Sequence, residues 1–117
     1  MPARLKPAPA AEVSAALERL ARSAEKADLR LLTKHFLAVL EERVPGKSVE
    51  IRVPPYAAVQ VIEGVRHTRG TPPAVIETDA VTWIALATGA MTWSDAVDQA
   101  RVRASGERTD LSAYLPL

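Results

Sequence analysis

The sequence predicts an α+β domain built on a curved, mainly antiparallel sheet. Three observations carry that prediction. Apolar residues recur at helical spacing as far as Val44, then alternate singly from Ser48 onward. Prolines and glycines cut the middle of the chain into strand-length pieces. After Asp79 two short segments carry helix-capping residues, and one more strand-like piece follows. The order is α-α-β-β-β-α-α-β-α, without the strict strand–helix alternation of a parallel sheet. A length of 117 residues is enough for one domain.

Taken in order, Pro2, Pro7 and Pro9 make residues 1–9 a loose tail, and residues 10–117 form the single domain. A helix is expected from about Ala10 to Ser23. Val13, Ala16, Leu17 and Leu20 share one face, and Glu12, Glu18, Arg19 and Arg22 take the other. Asp28 is placed to cap a second helix running to about Arg43, with Leu29, Leu32, Phe36, Leu40 and Val44 as its inner stripe. The sequence VPG at Val44–Gly46 ends it. His35 flanks the stripe, and a partly covered helix histidine is the plainer reading there.

In SVEIRVPP, the residues Val49, Ile51 and Val53 alternate with Ser48, Glu50 and Arg52, as in a half-buried strand. Pro54 and Pro55 end it, because neither donates to a ladder. YAAVQVIEG reads as its hairpin partner and PAVIET as a third strand. Asp79 sits at an N-cap position before a short helix, Ala80–Thr88, which Gly89 terminates. That helix is apolar nearly all round, so it is either sandwiched between layers or turned toward a cavity. Thr92 and Asp95 have capping-box spacing for a helix to about Ala100. RVRAS is a final strand, and TDLSAYLPL reads as a terminal helical turn or two.

Composition removes several function classes. Fifteen basic residues stand against fourteen acidic ones, so no global field draws the chain to nucleic acid or an anionic membrane. With no cysteine, thiol catalysis, disulfide scaffolds and zinc ribbons are excluded. The N-terminal residues lack the apolar core of a secretory signal, and the apolar run Val81–Met91 is too short to span a bilayer. The expectation is a cytoplasmic protein without integral membrane association and without a cofactor.

The C-terminal third, ETDAVTWIALATGAMTWSDAVDQARVRASGERTDLSAYL, resembles the closing segment of sterol carrier protein 2-like domains. Asp79, Trp83, Leu86, Thr88, Gly89, Ala96, Val102, Ser105 and Gly106 carry the resemblance. SVEIRVPPYAAVQVIEGVRHTRGTPPAVIETD is similar to the version carried by actinobacterial sterol-carrier-family proteins. The resemblance runs over roughly residues 10–117. It implies a curved sheet covered on one face by helices, with an apolar tunnel between them. It also implies noncatalytic binding of fatty acyl, isoprenoid or sterol-like ligands. A protein partner or a homodimer is left open. The alternative is a protein-interaction or regulatory domain whose tunnel has closed into ordinary core.

Two groups of residues are site candidates. Ile62, Trp83, Leu86, Met91, Trp93 and Tyr114 form the candidate apolar wall, although each alone fits plain core as well. In HTRGTPP, Arg66, His67 and Arg69 form a candidate clamp for an anionic head group, since guanidinium groups grip carboxylates and phosphates bidentately. Arg101, Arg103 and Arg108 would join them if the last strand lies nearby. The competing reading is a turn that launches a strand, with Gly70 at positive φ. A catalytic reading would make His67 a general base oriented by Glu77 or Asp79. No nucleophile stands at a recognisable spacing, and two histidines make no metal cluster. The chain is therefore read as no enzyme.

Overall fold

The alternation that marked the strands becomes a sheet with one dry face. The computed structural model describes residues 5–64, 74–106 and 109–117. Its elements are α1 (Ala10–Leu20), α2 (Lys26–Arg43), β1 (Val49–Val53), β2 (Ala57–Val61), β3 (Ala74–Thr78), α3 (Ala80–Thr88), α4 (Trp93–Asp98) and β4 (Val102–Ser105). The strands lie in the order β2-β1-β3-β4. β1 pairs antiparallel with β2, Ile51 opposite Val59, and β3 pairs antiparallel with β4, Ile76 opposite Ala104. Between them β1 and β3 run parallel, Ile51 beside Ile76, so the four-stranded sheet is mixed.

Val49, Ile51, Val53, Val59, Val61, Ala74 and Ile76 are all buried. They join Leu32, Leu37 and Leu40 of α2 and Trp83 and Ile84 of α3 in one core. Burying one such aliphatic side chain is worth about 1.5–3 kcal/mol, against at most ~1 kcal/mol for an exposed ion pair. The layers are therefore held by this interface and not by the opposite face, where Arg52, Ala58, Gln60 and Arg103 meet solvent. α2 is the hub, packed on α1, α3 and β2. No helix among the described residues is long and apolar enough to cross a membrane.

Three local readings change. α1 stops at Leu20. Asp28 does not cap α2, which begins at Lys26 with Glu25 at the N-cap. It lies buried in the first turn and accepts from Arg19 of α1, at 3.1 Å from Nε to each oxygen and 2.8 Å from Nη2. A bidentate partner one helix away outcompetes the local cap. The C-terminal residues form a turn, closed by the amide of Tyr114 on the carbonyl of Leu111 at 2.9 Å, and not a helix. Leu111 is anchored in the core, and Pro116 supplies no amide to extend a helix.

The end of β2 is knotted to the exit of α2. The Ile62 amide donates to Val44 at 2.8 Å, and the Ser48 amide and hydroxyl donate to the Ile62 carbonyl at 3.0 and 2.6 Å. Ile62 holds φ 67°, a left-handed conformation that a β-branched residue adopts only under constraint. Gly46 lies so close to the Ile62 backbone that a Cβ would collide with it.

Candidate functional site

α3 is positioned at both ends by the residues its sequence supplies. At its start Asp79 accepts from the Thr82 amide at 3.1 Å and the Thr82 hydroxyl at 2.6 Å. Burial opposes the Asp79 charge, but the Thr82 hydrogen bonds and nearby Arg101 outweigh it and hold the carboxyl below its ordinary value. At its end Gly89 takes φ 85°, the left-handed geometry that stops a helix. The chain folds back at once, the Met91 amide donating to Ala85 at 3.1 Å. Thr92 then caps α4, its hydroxyl oxygen accepting from the Asp95 amide at 3.1 Å.

The C-terminal segment returns to this corner. The Leu117 amide donates to the Ala87 carbonyl at 2.9 Å, which lays Leu115 and Pro116 beside the end of α3. Between the end of α3, the start of α4 and this segment lies a cleft of about 340 Å³. Its apolar lining comes from Leu86, Met91, Trp93, Leu115 and Pro116, and its polar lining from the hydroxyls of Thr92, Ser94 and Ser112. Its volume falls at the lower end of small-molecule sites, about 300–1,000 Å³.

Of the six apolar candidates, Leu86, Met91 and Trp93 meet in this cleft. Trp83 does not: it is 1% exposed and donates its indole N–H to the Thr33 carbonyl at 3.3 Å, across the α2–α3 interface. Ile62 lies in the core beside the sheet, and Tyr114 packs against that core from outside. The cleft therefore opens at the far end of α3 and not between sheet and helices. Leu115, Pro116 and Ser112 were missed in the sequence. The signal available was the apolar YLPL that closes the chain, which carries more hydrophobic surface than a solvated turn needs.

Arg66, His67 and Arg69 lie outside the described residues, as do Gly70 and Arg108. Arg101 and Arg103 line a second groove, about 230 Å³, together with Glu77 and Asp79. Acids and bases alternate there, and the Thr78 hydroxyl donates to the Arg101 carbonyl at 2.9 Å. His35 accepts the Ala8 amide on Nδ1 at 2.9 Å and meets Phe36 edge-on. Burial pushes its pKa down, so it sits as a neutral packing histidine. Among the described residues no cluster of three or more His, Asp or Glu side chains is placed to hold a metal.

A family model described as "Bacterial SCP ortholog" matches residues 25–117. No curated protein matches the chain.

Proposed function

The chain belongs to the family of bacterial orthologs of sterol carrier protein, and from that premise we propose that it is a noncatalytic carrier of an elongated apolar ligand. The observation that carries the reading is the cleft at the end of α3. There Leu86, Met91 and Trp93 converge with Leu115 on about 340 Å³ of space. Apolar walls with a few polar groups are the usual make-up of a small-molecule site. A ligand that lays its chain along the half-buried Met91 and Leu115 would stack on the Trp93 indole and leave its polar end at the hydroxyls.

Displacement of bound Nile red tests this. Wild-type protein should bind the dye and release it to an added long-chain lipid, and Trp93→Ala should weaken both. Binding unchanged in Trp93→Ala would remove the cleft as the site.

One observation favours a second reading, a protein-interaction domain with a closed core. The space between sheet and helices is occupied by fully buried Trp83, Leu37, Ile51 and Ile76, while Val81 and Val97 stand 45% and 49% exposed. Failure of any lipid to bind, together with capture of a protein partner that Val81→Glu abolishes, would favour this reading over the first.

A further inference from the structure

The chemistry of the cleft lining selects a class of ligand. Five apolar side chains and three hydroxyl-bearing ones surround it, and among the described residues no lysine, arginine or histidine does. α3 contributes no charge at all from Ala80 to Thr88. The charges that adjoin the lining through hydrogen bonds are both acidic. Asp95 donates its amide to Thr92. Asp110 accepts the amide of Ser112 at 2.9 Å. Hydrogen bonds from the Ser112 side chain and backbone also hold Asp110 below its ordinary pKa, so it is an anion at neutral pH. The N-terminus of α4 offers an anion nothing extra, since the Thr92 oxygen and the Asp95 carboxylate already complement it.

An anionic head placed here would meet no cation among the described residues and would have the Asp110 carboxylate beside Ser112 as a neighbour. A hydroxyl, carbonyl or ester would lose little, because serine and threonine donate and accept hydrogen bonds without charge.

We propose that the cleft is specific for neutral amphiphiles, an apolar chain bearing a hydroxyl or carbonyl head, and discriminates against fatty-acid and phosphate anions. This rests on the carrier reading of the same cleft.

The test displaces Nile red from the full chain with decanol and, separately, with decanoate, at about pH 8 where the acid is fully ionised. Decanol should displace at a concentration at least about tenfold lower, a difference of ~1.4 kcal/mol. A neutral preference alone would follow from any greasy surface, so a charge is then placed in the lining. Exposed Ser94→Lys should shift the preference between decanoate and decanol toward the acid by up to about fivefold. Ser112→Lys, also at an exposed position, is the second variant if the first does not fold. Equal displacement by alcohol and acid overturns the head-group specificity and leaves the cleft standing. So does a preference for acid, and if Arg69→Ala then abolishes that preference the head site involves Arg69. Tenfold discrimination that neither lysine variant alters also overturns it, because the selectivity then arises elsewhere. If neither compound displaces the dye, the carrier reading itself fails, and the specificity with it.

Discussion

Leu117 and Ala87 are joined backbone to backbone, amide to carbonyl, at 2.9 Å. That bond sets the third wall of the cleft, because it holds Leu115 and Pro116 against the end of α3. Deleting Leu115–Leu117 should therefore cost both binding and stability. The lost hydrogen bond is worth about 1 kcal/mol, and the half-buried Leu115 and Leu117, packed on the core, add about 1–3 kcal/mol. The melting midpoint should fall by roughly 10 °C while Nile red affinity per folded molecule falls at least ~tenfold. Calorimetry and dye titration of the same sample check both. Loss of folding with retained affinity per folded molecule would contradict the assignment of this wall.

The two tryptophans should separate core from site. Trp83→Phe removes the indole bond to Thr33 and leaves a gap in the α2–α3 layer, so it should destabilise by about 1–3 kcal/mol. Trp93→Ala, on a half-buried side chain, should cost less in stability and more in binding. Urea unfolding followed by dye binding distinguishes them.

Thr33 offers a gain. Its hydroxyl is wholly buried and has no hydrogen-bond partner among the described residues, while its carbonyl receives Trp83. Thr33→Val removes the unpaired polar group at nearly constant shape and should raise stability by about 1 kcal/mol. Urea unfolding reads the change, and a loss of stability would mean the hydroxyl is satisfied in solution.

Asp79 and Asp28 give the acid limb of the stability curve. Both carboxyls titrate below the ordinary value of 3.8 in the folded protein. A depressed folded pKa contributes stability that is fully present above 3.8 and is lost as pH falls through the lower, folded values. Asp79→Ala should cost about 1 kcal/mol at neutral pH through the lost cap, with Asp79→Asn retaining most of it. Arg19→Ala should lower the melting midpoint at pH 7, with the gap to wild type narrowing below about pH 4 as Asp28 is protonated. A gap independent of pH would mean that Arg19 acts by packing and not by charge.

The parts legible in the sequence were those whose signals are local. Asp79, Gly89 and Thr92 stand within three or four residues of the groups they satisfy, and each caps as its spacing indicates. The period-two alternation located β1 and β2 because one face of the sheet is dry. The partner of Asp28 was not legible: Arg19 is nine residues away on another helix, and only the α1–α2 packing brings them together. Nor was the parallel β1–β3 pairing, which joins strands separated by β2 and the segment after it. At the site, the apolar side chains of the α3–α4 corner were legible as a group. The wall from Leu115 and Pro116 was not, because a chain that folds back by a single backbone bond leaves no periodicity to read.

The most direct test of the carrier account is native mass spectrometry of protein purified without detergent, followed by lipid extraction of the same sample. The account predicts an adduct of a few hundred daltons, the mass of a ligand that a cleft of about 340 Å³ can hold at least in part. The adduct should be released as a neutral long-chain compound and be lost in Trp93→Ala. A clean unliganded mass, with no displacement of Nile red by any added lipid, would contradict it.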